Sequence, residues 1–139
     1  MALLDVRTGI MVERVLVVDD DRTVRSIVTR ILSKLGVTYV HPVEDGATAL
    51  REMGTEMFDV VICDIEMEPM SGIDVLKAVR ESTYPAIRDL PFLLLTSHTE
   101  SDYVVAAKSL GCDDFVLKPV SPEKLRERIV RVLSKRKGF

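Results

Sequence analysis

Two apolar stretches that end in acidic residues decide the fold: RVLVV at Arg14–Val18, followed by Asp19 and Asp20, and VVIC at Val60–Cys63, followed by Asp64. Such short and almost continuous apolar runs are typical of strands that are buried on both faces. Strands of this kind belong to parallel sheets that carry helices on both sides. The sequence therefore predicts an α/β fold.

Two further runs repeat the pattern later in the chain. FLLL at Phe92–Leu95 precedes Thr96, and FVL at Phe115–Leu117 precedes Lys118. In open parallel sheets the ligand site lies outside the carboxyl ends of the strands, near the point where the strand order reverses. We therefore expect three carboxylates, a hydroxyl and an amine to meet in one crevice.

Helical patterns separate these strands. An apolar stripe after Asp20 steps by three and four residues, at Val24, Ile27, Val28, Ile31, Leu32 and Leu35. A weak strand near Val37–Val40 and a helix from about Gly46 to Met53 follow, and later helices are expected after Gly72, near Thr99 and after Ser121. The alternation predicts a doubly wound, flavodoxin-like (βα)5 fold with a five-stranded parallel sheet in the order 2-1-3-4-5.

Composition indicates an ordinary globular protein. The 139 residues are 47% hydrophobic and 29% charged, which suits one domain. A net charge of −3 excludes a strongly basic nucleic-acid binder, and no stretch is long enough to span a membrane. Two cysteines, Cys63 and Cys112, do not make a disulfide framework. We expect a cytoplasmic protein with no nucleic-acid or membrane partner.

The amino terminus is predicted to lie outside the domain. Residues 1–12 are expected to form an extension, and residues 13–139 the domain. The apolar run in this segment is too short for a signal peptide, and Asp5 and Arg7 interrupt it. Met11 is a possible alternative start, which would leave the first ten residues as an unstructured extension.

The expected cluster has a chemistry of its own. Asp19, Asp20 and Asp64 would repel one another, and one would stay protonated unless a cation were present. An all-oxygen, carboxylate-rich site suits Mg²⁺. One carboxylate can then attack a phosphoryl group, while Lys118 neutralises a transferred oxygen and Thr96 hydrogen-bonds another.

These residues occur in a familiar order. The chain resembles the receiver domain of two-component response regulators from about residue 13 to 135, and it is most similar to the stand-alone chemotaxis or phosphorelay type. The motifs that carry the resemblance are V-V-D-D at Val17–Asp20, D-I-E-M at Asp64–Met67 with Gly72 beyond, L-T-S at Leu95–Ser97 and F-V-L-K-P at Phe115–Pro119.

The resemblance implies a role for each residue of the cluster. Asp64 would accept a phosphoryl group from a phosphohistidine, and Lys118 would contact that group. Asp20 and the backbone carbonyl of Glu66 would bind Mg²⁺ or Mn²⁺ with Asp64, while Asp19 would bind it mainly through water. The chain would support its own phosphorylation and dephosphorylation, but it would not be an enzyme with a separate substrate.

The resemblance also implies a switch. Thr96 would move toward the phosphoryl group, and Phe115 takes the position of the family's switch aromatic. The surface of the fourth helix, fifth strand and fifth helix would then bind a downstream target protein. A sensor histidine kinase or a histidine phosphotransfer protein would supply the phosphoryl group. The Lys118–Pro119 peptide bond is expected to be cis.

The loop after the acceptor departs from the family pattern. Glu68 stands where the family usually has proline, and Pro69 comes one place later. Glu66 lies two residues past Asp64, so in an extended segment it points to the same side. His98 has the same relation to Thr96. Both side chains are expected to modulate the rates of phosphorylation and dephosphorylation. The alternative is that Glu66 points into solvent and affects neither rate.

Two other functions fit part of the pattern. In a haloacid-dehalogenase-type phosphatase, Asp19 would be the nucleophile and Asp21 the general acid, but Asp64 would have no role. An interaction-only receiver would never accept phosphate. The remaining histidine, His41, is expected at the surface, with no cysteine or second histidine as a metal-binding partner.

Overall fold

A computed structural model of the chain describes residues 3–5, 7, 9–97, 102–136 and 138. The proposed modulator His98 and the predicted helix start at Thr99 lie outside these residues. Within the described part, no helix is both long enough and apolar enough to cross a membrane.

The fold is a parallel sheet between two layers of helices. A small hairpin precedes the sheet in the sequence. The strands are β1 (Leu3–Asp5), β2 (Ile10–Val12), β3 (Arg14–Val18), β4 (Tyr39–Val43), β5 (Val60–Asp64), β6 (Phe92–Thr96) and β7 (Asp114–Leu117). The helices are α1 (Arg22–Lys34), α2 (Gly46–Met53), α3 (Gly72–Arg80), α4 (Pro85–Arg88), α5 (Asp102–Ser109) and α6 (Pro122–Arg136). The sheet order β4-β3-β5-β6-β7, with parallel pairing throughout, confirms the predicted order.

Each face of the sheet has its own hydrophobic core, which explains why the strands read as continuous apolar runs. Along β3, Val15 and Val17 face α1 and α6, whereas Leu16 and Val18 face α2 and α3. All four side chains are fully buried. Because both faces are covered, the strand has no position for a polar residue until Asp19, where it ends.

Capping residues mark several helix ends. The Asp21 side chain caps α1 by accepting from the backbone N–H groups of Thr23 and Val24, and Ser121 accepts from the N–H of Lys124 at the start of α6. Gly36, at φ 102°, follows α1 in the left-handed conformation that glycine favours.

One local expectation needs correction. The second strand of the sheet spans Tyr39–Val43 and not Val37–Val40. It contains Pro42, which is tolerated because β4 is an edge strand and a missing ladder donor costs little there. The connection before β6 contains the short helix α4.

The expectation that the first ten residues are unstructured is wrong for the part described. Strands β1 and β2 pair antiparallel, and Gly9, at φ 73°, makes the turn between them. Ile10 and Val12 are 2% and 0% exposed and join the core under α1 and α6, while Met11 between them faces outward. The division of the chain at residue 13 stays a prediction, but the packing makes β2 part of the core.

Candidate functional site

The predicted site residues meet at the carboxyl end of the sheet. Strand β5 ends at Asp64 and β6 at Thr96. Asp19 follows β3, the neighbour of β5, and Lys118 follows β7, the neighbour of β6. The switch point of the sheet therefore brings together groups that are up to ninety-nine positions apart in the sequence, as the strand-end argument predicts.

One lysine bridges two buried carboxylates. The Lys118 ammonium nitrogen lies 3.0 Å from Asp64 Oδ1 and 3.4 Å from Asp19 Oδ2. Asp19 is fully buried, and Asp64 and Thr96 are nearly so, whereas Asp20 is exposed. Asp19, Asp20 and Asp64 each offer a carboxylate oxygen within 4.8 Å of the others. The cluster is open on the Asp20 side and closed beneath Asp64.

Burial dominates the electrostatics of the site. It raises the pKa of Asp64 to about 6, with the charge of Asp19 adding to the shift and the hydrogen bond from Lys118 opposing it. Burial also raises the pKa of Asp19, against the hydrogen bond from the Asp21 backbone. Burial alone would lower the pKa of Lys118, but its hydrogen bond and ion pair with Asp64 outweigh this and raise it. The lysine therefore stays charged and only partly offsets the two carboxylates.

The donor set fits a hydrated divalent cation. Asp19 Oδ2 is buried and, apart from its ion pair with Lys118, has no hydrogen bond within the described residues. Three carboxylate oxygens in close contact match the hard oxygen ligands of Mg²⁺, which takes one or two carboxylates and keeps several waters. A cation here would relieve the repulsion that raises the pKa of Asp64.

Two hydrogen bonds that hold Asp19 in place were not predicted from the sequence. The Arg25 guanidinium donates to the backbone oxygen of Asp19 at 2.7 Å, and the Asp21 N–H donates to Asp19 Oδ1 at 2.9 Å. Asp21 was considered as a general acid of a phosphatase, but its carboxylate is used as the α1 cap. An acidic residue directly before a helical stripe is the sequence signal for such a cap; nothing local in the sequence identifies Arg25.

The loop after Asp64 is packed tightly against the start of α3. The Gly72 N–H donates to the backbone oxygen of Ile65 at 2.9 Å, and a Cβ at Gly72 would lie 2.1 Å from the backbone oxygen of Asp64. Only glycine allows this approach. The peptide bond between Glu68 and Pro69, where the loop departs from the family pattern, is cis, as is the predicted bond between Lys118 and Pro119.

Glu66 lies at the open side of the site. It is exposed, and with Asp20, Met67 and Glu68 it lines a cavity of about 410 Å³. The proximity of the Glu66 side chain to the Asp64 carboxylate and its effect on the rates both stay predictions.

Thr96 and Phe115 both line a second cavity. Both residues lie on the sheet face that α5 covers, with Phe115 half-buried against that core. The cavity measures about 250 Å³ and is also lined by Val104, Lys108 and Leu117. There is therefore free volume next to both proposed switch residues.

Comparison with known proteins agrees with this geometry. The family model for the response regulator receiver domain matches residues 15–130. The chain belongs to this family. Over 125 residues the receiver is 34% identical to the chemotaxis protein CheY of Pseudomonas aeruginosa, covering 90% of this chain and 99% of that protein. It is 38% identical over 121 residues to the probable transcriptional regulator ycf27 of Guillardia theta, of which it covers 45%.

Solved structures show the same fold. The chemotaxis response regulator CheY4 of Vibrio cholerae aligns with a TM-score of 0.79 at 33% identity, covering 87% of this receiver and 98% of that chain. A putative response regulator from Chloroflexus aurantiacus aligns with a TM-score of 0.79 at 30% identity, covering 88% and 98%. The receiver is thus a phospho-accepting signalling domain and not a conventional enzyme, and the phosphatase alternative is not favoured.

Proposed function

We propose that the receiver accepts a phosphoryl group on Asp64 from a phosphohistidine, with Mg²⁺ or Mn²⁺ as the cofactor. The observation that carries the proposal is the buried Asp64 carboxylate, 3.0 Å from Lys118 and grouped with two further carboxylates at the switch point of the sheet.

The cation would be held by Asp19, Asp20, Asp64 and the backbone carbonyl of Glu66. When bound, it supplies positive charge that neutralises the phosphoryl oxygens. Asp20 is exposed, so a cation bound to it could exchange its water ligands with solvent. The Asp19 carboxylate is held in place by the hydrogen bond from the Asp21 backbone N–H.

Each protein group then has a defined part in the transfer. Asp64 reacts as the ionised carboxylate: an oxygen of Asp64 forms a bond to phosphorus as the bond to the donor nitrogen breaks. Lys118 holds the carboxylate before transfer and a phosphoryl oxygen after it. The Thr96 hydroxyl donates to a second phosphoryl oxygen. These are positioning and charge-neutralising tasks, which is what phosphoryl transfer requires of a protein.

Thr96 and Phe115 would carry the change to the surface. An aspartyl phosphate adds about −1.5 to −2 charges, which draws the Thr96 hydroxyl inward. The 250 Å³ cavity that both residues line gives Phe115 room to repack. This shifts the population of the surface formed by α5, β7 and α6 toward the state that binds the target, to an extent set by the differential affinity of that target.

The partners follow from the family. A sensor histidine kinase or a histidine phosphotransfer protein would donate the phosphoryl group, and a downstream target protein would read the switched surface. Chemotaxis proteins among the relatives support a response regulator that acts by protein binding.

Mass spectrometry after incubation with phosphoramidate tests the proposal directly. Wild type should gain one phosphoryl group in the presence of Mg²⁺ and none in EDTA, and the label should map to Asp64. Asp64→Asn should abolish labelling. Asp89→Asn is the matched control, since Asp89 is exposed and remote from the site.

Other outcomes would reject it. Labelling that persists in Asp64→Asn would show that the acceptor is another residue. Labelling that persists in EDTA would show that no divalent cation is needed. Turnover of a generic phosphate ester that is lost in Asp19→Asn and kept in Asp64→Asn would favour the phosphatase. No labelling by any small donor or by a phosphorylated histidine protein would favour the interaction-only receiver.

A further inference from the structure

A second group of potential metal ligands lies on the edge of the sheet. His41 is in the edge strand β4, Glu52 in the last turn of α2, and Glu56 in the loop that follows. Each offers one ligand atom within 4.8 Å of the others. Tyr39 and His41 share one face of β4 with Val43 because side chains alternate along a strand, and this face is the one that α2 covers.

Neighbouring side chains orient two of these three ligands. The Tyr39 hydroxyl lies 2.7 Å from His41 Nδ1, which leaves Nε2 facing Glu52 Oε2 at 4.0 Å. The Arg14 guanidinium donates to Glu56 Oε1 at 2.8 Å, which leaves Glu56 Oε2 at 4.0 Å from His41 Nδ1, on the Tyr39 side of the ring. Metal-binding histidines typically use their second ring nitrogen in such a contact, and it fixes the ring.

The charges around the imidazole favour a cation. Two carboxylates face one imidazole ring, and the Arg14 guanidinium is bound to one of them. Neither carboxylate of the pair Glu52 and Glu56 is more than about a quarter exposed.

We propose that His41, Glu52 and Glu56 bind a divalent transition-metal ion, with zinc as the preferred metal. One imidazole nitrogen and two carboxylate oxygens are an open zinc set that leaves a fourth position for water. Mg²⁺ selects oxygen ligands and does not suit this set. The site shares no residue with the carboxylate cluster at Asp64, and it does not depend on the proposed phosphorylation.

Only a small movement is needed to close the site. Zinc bonds of about 2.0 to 2.2 Å place tetrahedral ligand atoms about 3.3 Å apart. The 4.0 Å between His41 Nε2 and Glu52 Oε2 is wider by less than one ångström, and all three ligand atoms lie within 4.8 Å of one another. Rotation of the two partly exposed glutamate side chains covers these differences. Closure ties the edge strand β4 to the end of α2, so zinc binding stabilises the folded state by mass action.

Titration with Zn²⁺ by isothermal calorimetry, in excess Mg²⁺ that occupies the carboxylate cluster, tests the site. Wild type should bind one equivalent, and its melting temperature should rise with zinc. His41→Gln and Glu52→Gln should each weaken binding by roughly tenfold or more, the size of effect seen when metal-site residues are removed. His98→Gln, the same change at the chain's other histidine, should leave the affinity unchanged. Circular dichroism checks that each variant is folded.

Three results would overturn the proposal. The first is an absence of saturable binding to wild type, and the second is binding that both His41→Gln and Glu52→Gln leave unchanged. The third is a loss in His98→Gln as large as the loss in His41→Gln, which would show adventitious histidine binding only. The imidazole ¹⁵N resonances provide a direct readout, because zinc should shift those of His41 and leave those of the second histidine in place.

Discussion

Replacing the proposed acceptor by its uncharged isostere, Asp64→Asn, should stabilise the metal-free receiver at neutral pH. The Asp64 side chain is only 5% exposed, and burial raises its pKa from 3.8 to about 6. The native state therefore holds a proton that the unfolded chain has already lost between these two values. Stability falls as the pH rises through this window, and asparagine, which does not ionise, avoids the loss.

The size of the effect follows from the pKa. A rise from 3.8 to about 6 corresponds to about 3 kcal/mol at roughly 1.4 kcal/mol per pKa unit. Lys118 does not lose its only partner in the variant, because Asp19 remains 3.4 Å away. At roughly 2 to 4 °C per kcal/mol for a domain of this size, the melting temperature should rise by about 6 to 12 °C.

Urea unfolding in EDTA, followed by circular dichroism, measures the difference. At about pH 7.5 the variant should be more stable than wild type, and near pH 4 the difference should nearly vanish because native Asp64 is then protonated. Asp89→Asn is the control: hydrogen bonding to Arg88 lowers the pKa of Asp89, so its neutralisation should give no gain. Added Mg²⁺ should stabilise wild type more than Asp64→Asn and so narrow the gap.

Two results would refute this reasoning. If Asp64→Asn were less stable than wild type at pH 7.5 without metal, the interaction with Lys118 would outweigh burial. If the gain were equal at both pH values, it would come from packing and not from ionisation.

Three further changes test other parts of the structure. Glu66→Ala should speed phosphorylation by a small anionic donor and change the autodephosphorylation rate several-fold, because it removes a negative charge from the open side of the site. Glu81→Ala is the remote control, and equal rates in the two variants would contradict this prediction. The chain has three tyrosines but no tryptophan, so Phe115→Trp gives a single tryptophan whose selectively excited emission should change on phosphorylation; adding Thr96→Ala should remove most of that change, and an unaltered response would show that Phe115 does not respond through Thr96. A chain that starts at Met11 lacks β1 and Ile10, a side chain that is 2% exposed, and should lose at least about 2 kcal/mol of stability in urea unfolding; stability equal to the full chain would show that the hairpin does not contribute.

The sequence predicts the sheet and the site together, for one physical reason. Strands that are covered on both faces must be apolar along their length, so the first polar residue marks the strand end, as Asp19, Asp64 and Lys118 do. Parallel strands place these ends at one edge of the sheet. Both the buried strand positions and the site residues at the strand ends can therefore be predicted from the sequence, without knowledge of long-range contacts.

The features that were missed depend on contacts that a local pattern does not contain. Strand β2 has three residues, too few to show a period of two, and its burial comes from packing against α6. His41 was expected to be a surface residue without metal-binding partners, but the fold brings two glutamates from α2 and its following loop to within 4.0 Å of it. Arg25 reaches Asp19 only because α1 returns along the sheet.

The buried carboxylate of Asp64, the proposed acceptor, links the stability of the receiver to its reactivity. With its pKa at about 6, Asp64 holds a proton in part of the molecules near neutral pH, and a protonated carboxyl group is a poor nucleophile. Any change that brings positive charge to Asp19 and Asp20 favours the ionised form, so it stabilises the fold and prepares the nucleophile at once. A phosphoryl group has the opposite effect, since it adds about −1.5 to −2 charges where Lys118 already serves two carboxylates. Other hydrogen-bond donors are then needed to offset this charge in the folded state. Thr96 is buried at the end of the adjacent strand, next to free volume, and its hydroxyl is in position to donate.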